Sequence, residues 1–444
     1  MNKTSRQWDL DWSPVHGIEM VIVIPAIGEY ENIKRLLLSL AECDQDYLKK
    51  SLIVFVINHN SESGQQIKDD NFKSIELLQK IISQANQDEF TNKILSAGIR
   101  IGMIDAASDG KEFKSEKNGV GLARKIGMDS SLQVFDYSLP SKKIIVSLDA
   151  DCIVDKNYLS AIHSSFNELN LSAATLEFEH NLSEEGINKS AILSYEIYLR
   201  HYVCGLLFAG SSYSFHSIGS IMAFDHEAYI KLGGMNKRQA AEDFYFLQKL
   251  TKVFKIHRIS STTVHPSARE SWRVPFGTGR SIADFNTNGK QIMLYDSDVY
   301  IILKDWLTLF NSDMALHPDI LLKEVKKIHK ELFNFLEEKD FAKDWNRILD
   351  NCKTEKQLIY QRQNWFDGFK TLKLIHHLRD TTFPMLNIHD GVEKFFNLVD
   401  HSYKPNLIAE HKIEMLENYL SGLQTLENSL AYNSAIHSSE SLAV

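Results

Sequence analysis

The sequence predicts an α/β domain with a Rossmann-like, mainly parallel sheet flanked by helices, followed by an all-helical C-terminal region. Three observations carry this. Short apolar runs alternate with helical periodicity through the first half of the chain. The first of them is ended by Pro25, the pattern of a buried parallel strand. From about Asn286 onward Gly and Pro become scarce and helical spacing takes over.

The elements follow in order. Met20–Ile24 is an apolar run that meets Pro25, and it reads as a strand. Glu31 to Leu40 places Ile33, Leu36, Leu37 and Leu40 on one helical face. Leu52–Ile57 reads as a second strand, Ile75–Ile82 as a helix and Ile99–Ile104 as a third strand. Gly119–Met128 looks like a helix opening, and Lys143–Leu148 is a fourth strand. Alternation of this kind implies βαβ units. Beyond Val299 the examples of helical spacing are Ile320–Leu336 and Leu407–Leu430, and the Ser-rich end 433–444 is expected to fray. Two domains are therefore expected, 1–290 and 291–444, as suits a chain of 444 residues.

Composition narrows the function. A net charge of −9 without a long run of one sign argues against a general nucleic-acid binder. Cys43, Cys152, Cys204 and Cys352 include no Cys-x-x-Cys pair, so a Cys-rich zinc site is not expected. The N-terminus is polar, with Asp9 and Asp11, and the thiols read as reduced in a cytoplasmic protein. Val203–Phe224 is the most membrane-like stretch, but Ser211, Ser212, Ser214, His216 and Ser217 interrupt it. It reads as a core or acceptor-site segment, with peripheral membrane contact at most.

Three clusters carry chemistry. The strand Lys143–Leu148 runs into Asp149-Ala150-Asp151, and residues two apart on extended chain share a side. Open α/β sheets bind ligands beyond the carboxyl ends of their strands. Two carboxylates there suit Mg²⁺ or Mn²⁺ bridging phosphate oxygens. Asp-x-Asp also occurs at Asp9/Asp11, Asp44/Asp46 and Asp296/Asp298, but only the Asp149 pair directly follows a buried strand. Next come Gly233-Gly234 and then Glu242-Asp243, at the start of a helical stretch Asp243–Leu250. That acid pair is either a catalytic group or a helix start favoured by the dipole. Last, His265 precedes Arg269, Trp272, Arg273, Gly277, Gly279 and Arg280. The arginines read as a diphosphate clamp or as a solvated loop. His265 reads as a metal ligand or as a hydrogen-bonded structural residue. Lys117 and Arg124, near a predicted helix start, are further phosphate candidates.

The order and spacing of these segments resemble a family-2 glycosyltransferase with the A-type fold. The segments are "VIVIPAIGEYENIKRLLLSL", "VSLDADCIVDKNYL" and "GSIMAFDHEAYIKLGGMNKRQAAEDFYFLQKL", and the resemblance covers about Met20 to Arg280. It implies that Pro25, Ala26 and Glu29 line a nucleotide pocket, and that Asn58 stands where the family usually has a base-reading Asp. It further implies that Asp149 and Asp151 hold ribose, diphosphate and metal. Asp243 would be the base with Glu242 beside it, and His265 a metal ligand. "VINHNSES" departs from the usual Asp-rich turn, and "SARESWRVPFGTGR" replaces the Gln-x-x-Arg-Trp motif of processive polymer synthases. The function the resemblance implies is metal-dependent transfer of a sugar from a nucleoside-diphosphate sugar to an acceptor hydroxyl, with inversion. That acceptor is a sugar, a glycan or a small molecule. The alternatives are a retaining enzyme of the same fold and an inactive sugar-nucleotide-binding scaffold. A nucleotidyltransferase fits less well, because "PAIGEYEN" offers one Gly and no basic residue. The helical region is read as a surface for homo-oligomerisation or partner binding.

Overall fold

The computed structural model describes residues 7–84, 88–114, 119–182, 188–238, 240–269, 278–288, 290–399 and 412–440, the side chains of 278, 280 and 434–440 excepted. The chain divides into two compact units, 1–184 with 217–268, and 185–216 with 269–444.

The first unit is built on β1 (Leu10–Trp12), β2 (Met20–Ala26), β3 (Ser51–Asn58), β4 (Ile101–Ala106), β5 (Ile144–Ser147), β6 (Ile153–Val154), β7 (Ala173–Phe178), β8 (Met222–Asp225) and β9 (His257–His265). Its helices are α1 (Tyr30–Leu40), α2 (Gln45–Leu48), α3 (Gln65–Ile82), α4 (Glu89–Ser96), α5 (Val120–Ser131), α6 (Tyr158–Glu168), α8 (His226–Lys231) and α9 (Glu242–Thr251). The strand order is β1-β4-β3-β2-β5-β8-β7-β9-β6. The central strands β4, β3, β2 and β5 are all parallel, while β8 joins β5 antiparallel. Every residue of β2 and β3 is buried, which is why both appear in the sequence as unbroken apolar runs.

The chain leaves β2 toward β3 on one side and later returns as β5 on the other. The crevice at such a switch point, beyond the carboxyl ends, is where open α/β sheets bind ligands. Ala26 ends β2 there, and Leu148 continues β5 with its N–H donating to the carbonyl of Val23 at 3.1 Å. Pro25 lies inside β2, opposite Val56, rather than ending the strand.

Helix α5 lies against β2 and β3, and Gly127 sets how closely. A Cβ at that position would stand 2.4 Å from Val23 Cγ1 and 3.0 Å from Val56 Cγ2.

The second unit, among the described residues, is all helix. It comprises α7 (Lys189–Phe208), α10 (Thr278–Asn288), α11 (Asp298–Asn311), α12 (Pro318–Ile328), α13 (Lys330–Glu338), α14 (Phe341–Asn351), α15 (Glu355–Trp365), α16 (Gly368–Thr381), α17 (Ile388–Val399) and α18 (Lys412–Glu440). Trp306, Phe310, Phe341, Trp345 and Trp365 form its aromatic centre. The buried Arg200 on α7 pairs with Glu196 at 2.9 Å and with Glu427 of α18 at 3.0 Å.

Several expectations shift. Ile320–Leu336 is two helices, because His329 is extended (φ −161, ψ 138) and its ring caps the second by accepting from the N–H of Glu331. α18 extends to Glu440, beyond the expected fraying point at 433, and 407–411 lie outside the described residues. The apolar stretch Val203–Phe224 is shared between α7, which ends at Phe208, the connection that follows it, and β8 from Met222. No helix among the described residues is long and apolar enough to cross a membrane.

Gly127→Ala is expected to destabilise the protein by roughly 1–3 kcal/mol, the usual range for overpacking. Adding Val23→Ala is expected to return part of that loss. Urea denaturation of the three variants checks this, and an unchanged Gly127→Ala would mean that α5 is not held at this distance.

Candidate active site

Three chain segments meet at the carboxyl end of β5. The first is the turn after the strand. The carbonyl of Asp149 accepts from the N–H of Cys152 at 3.2 Å, folding Asp149-Ala150-Asp151 back toward β6. β6 then pairs with β9, Ile153 opposite His265. Ala150 is buried, while Asp149 and Asp151 are half-buried.

The second segment is α5. It is buried nearly all round, and Arg124 sits on it with 3 % of its surface exposed. A buried guanidinium must find partners for its charge and its N–H groups. Nε donates to Ser147 Oγ at 3.0 Å, one terminal nitrogen donates to Asp149 Oδ1 at 2.5 Å, and the other donates to Glu242 Oε1. Burial works against the charge of Arg124, but Asp149, Glu242 and Asp243 outweigh it and hold the group above its ordinary pKa. Gly219 makes the room, since a Cβ there would stand 2.1 Å from Arg124 Nη2.

The third segment is the start of α9. Gly233 and Gly234 turn the chain at φ +73 and +80, a region that glycine enters without strain. Ala241 is also left-handed, at φ +57, a conformation that costs a non-glycine residue roughly 1–2 kcal/mol. Glu242 and Asp243 follow at once. Glu242 is buried, its carbonyl accepts from Asn236 Nδ2 at 2.8 Å, and its side chain holds Arg124. Burial raises its pKa, and Arg124 opposes that rise. Asp243 accepts from the N–H of Phe244 at 2.7 Å. Its pKa is pushed up to about 7, by burial first and next by Glu242, against the pull of Arg124.

The remaining sequence-predicted residues fall as follows. Pro25 lies within β2 and Ala26 ends it, and Gly28 (φ +62) turns into α1 with its N–H donating to Asn71 Oδ1 at 2.8 Å. Glu29 is buried and accepts from Asn32 Nδ2 at 2.6 Å. Asn58 is buried, and its amide donates to the carbonyls of Ala26 and Val56, each at 3.1 Å, which ties the ends of β2 and β3 together. The nitrogens of His265 face two oxygens, Asp155 Oδ1 at 3.0 Å and the carbonyl of Glu179 at 3.2 Å. Both ring nitrogens are thus engaged by oxygens, and a metal ligated by His265 would have to displace one of these contacts. Arg269 belongs to the helical unit. Lys117 and Arg273, and the side chain of Arg280, lie outside the described residues.

Among the described residues no group of three or more His, Cys, Asp and Glu side chains is arranged to hold a metal ion, so Asp149, Asp151 and His265 do not form one. Mg²⁺ and Mn²⁺ sites of the substrate-completed kind need only one or two carboxylates, with phosphates and waters supplying the rest. Asp149 and Asp151 fit that kind.

The hub role of Arg124 goes beyond the phosphate contact expected of it. The signal was present: Arg124 is one turn from both Val120 and Met128, on a face with Gly121 and Gly127. An arginine among such neighbours is buried and needs carboxylates. Asn71, which fastens the β2–α1 turn to α3, left no comparable trace.

No family model matches the chain, and no curated protein matches it. Solved structures are similar at low level. TarS 1–349 of S. aureus in complex with UDP-GlcNAc shares 14% identity at a TM-score of 0.38, covering 94% of this chain and 92% of that one. Mannosyltransferase PcManGT from Pyrobaculum calidifontis, in complex with GDP-Man and Mn²⁺, shares 12% at 0.36, covering 94% and 90%. Glucosyl-3-phosphoglycerate synthase from Mycobacterium tuberculosis shares 11% at 0.30, covering 55% and 69%. Likeness at this level assigns neither family nor activity to the chain.

The raised pKa of Asp243 gives a signed expectation. Between the ordinary aspartate value of 3.8 and about 7 the folded protein binds this proton more tightly than the unfolded chain. The resulting stability is full below that window and is lost as pH rises through about 7. Glu242 contributes with the same sign. Asp243→Asn cannot titrate, so its stability relative to the parent should improve between about pH 5 and about pH 8. Urea denaturation at the two pH values measures the gap, and a constant gap would contradict the assignment.

Proposed function

We propose that this chain is a metal-dependent glycosyltransferase, moving a sugar from a nucleoside-diphosphate sugar to an acceptor hydroxyl with inversion at the anomeric carbon. The observation that carries the reading is one juxtaposition. At the switch point of the sheet, the half-buried Asp149 and the acid pair Glu242-Asp243 converge on a single buried guanidinium. An Asp-x-Asp turn after a buried strand suits a phosphorylated ligand, and an acid with its pKa near neutrality suits proton abstraction.

Each residue then has a task. Asp243 accepts the proton of the acceptor hydroxyl, which makes that oxygen a stronger nucleophile. Its pKa of about 7 leaves much of it ionised at neutral pH and still basic enough to take a proton. Glu242 is committed to Arg124 and serves to orient the pair. Pro25, Ala26 and Glu29 border the nucleotide, and Asn58 shapes that border through the backbone it ties. A bound Mg²⁺ or Mn²⁺ on Asp149 and Asp151 would supply charge against the departing diphosphate. Lys117 is assigned to the same diphosphate. The unit formed by 1–184 and 217–268 holds the chemistry, and 291–444 are assigned to self-association or partner binding.

A panel of nucleotide sugars, each with and without Mn²⁺, should reveal one or a few that raise the melting temperature only with the metal, because a ligand stabilises the state that it binds. Asp151→Ala should remain folded and lose that metal-dependent shift. A full panel without any metal-dependent shift, or an unchanged shift in Asp151→Ala, would count against the proposed site.

A further inference from the structure

The reading above leaves a conflict. Asp149 is needed by a cation, yet Arg124 already holds it. We propose that Arg124 is a positioning residue that guards Asp149, so that entry of a divalent cation displaces one arm of the guanidinium and leaves it to Glu242 alone. This inference rests on the proposed function.

The geometry favours release on the Asp149 side. Both contacts come from one planar group, Nη2 to Asp149 and Nη1 to Glu242, with Nε fixed on Ser147. The Glu242 side chain is 4 % exposed and that of Asp149 is 36 % exposed. Water can solvate Asp149 when the arginine lets go, whereas Glu242 would be left as a bare charge in the interior. A divalent cation can approach Asp149 from the open side and can compensate its charge. The guanidinium stays anchored through Nε on Ser147 and Nη1 on Glu242, so the separation comes from the half-exposed Asp149 carboxylate turning toward the cation. The exchange is therefore local. It would link the donor side of the site to the acid pair: with Asp149 taken by the cation, the guanidinium binds Glu242 undivided and fixes the start of α9. Without the cation the same charge is shared.

The proposal separates Arg124 from a merely structural arginine. A structural arginine, when weakened, loosens the site and lowers cation affinity. A guard, when weakened, raises it. Arg124→Lys keeps the charge but replaces a fork by a single point, which cannot serve both carboxylates. The lysine should stay with the buried Glu242 and free Asp149. Direct Mn²⁺ binding without nucleotide, read by electron paramagnetic resonance of the free ion, should then tighten roughly 10-fold, an ordinary size for coupling between linked sites. Asp149→Asn in the Arg124→Lys background should abolish the gain. Ser147→Ala, which removes only the Nε anchor, should shift affinity in the same direction by less, and it carries the test if Arg124→Lys does not fold. Unchanged or weaker Mn²⁺ binding in the folded variant would overturn the guard, while Asp149-dependent binding in the parent would still support the glycosyltransferase reading. Absence of Mn²⁺ binding in every variant, with or without UDP or GDP, would remove both.

Discussion

A positive charge with almost no access to water holds the candidate site together. The Arg124 guanidinium could not remain ionised in the interior alone, and three acidic residues make its charge favourable. The dependence is mutual. Glu242 is buried beside it and would have to protonate without it. The turn after β5, the start of α9 and the middle of α5 come from distant parts of the sequence, and this one group gives them a common reference point. Removing either side of such a buried pair costs far more than the net worth of the pair, because the remaining charge is left stranded.

Backbone choices around the arginine serve the same end. Gly127 lets α5 lie close to β2 and β3, Gly121 admits the loop before α9, and Gly219 leaves space for the guanidinium. Ala241 accepts a left-handed conformation where α9 begins, with Glu242 buried and Asp243 half-buried. Strain of that kind persists where surrounding contacts over-determine it, and it is common at functional sites. The strands contribute position and little else. β5 delivers Asp149 at its end, and the pairing of β6 with β9 determines where Asp151 and His265 can stand.

The legible parts of the sequence were those in which one residue type has one physical use. Apolar runs marked β2, β3 and β5, because a strand buried on both faces favours such residues. Asp149 and the Glu242-Asp243 pair stood out by following a buried strand and a Gly-Gly turn. Non-local pairing was not legible: β6 and the antiparallel β8 carry no periodic signal of their own. His265 shows why a residue type underdetermines its role. Asp155 and the carbonyl of Glu179 engage its ring, and neither is marked in sequence as its neighbour. Asn58 likewise serves the backbone ends of two strands, a use no local pattern encodes. The polar residues within Val203–Phe224 mark where the apolar stretch leaves α7, but nothing in that stretch marks where the helix begins, at Lys189.

The central claim is that one carboxylate cluster both binds a sugar donor and removes the acceptor proton. The most direct measurement is release of nucleoside diphosphate from the donor that binds, in parent and in Asp243→Asn, with donor affinity determined in parallel. The account predicts that Asp243→Asn binds donor as the parent does and turns it over roughly 10²–10⁴-fold more slowly, the usual worth of a general base. An Asp243→Asn protein that binds donor and turns it over at the parent's rate would contradict it.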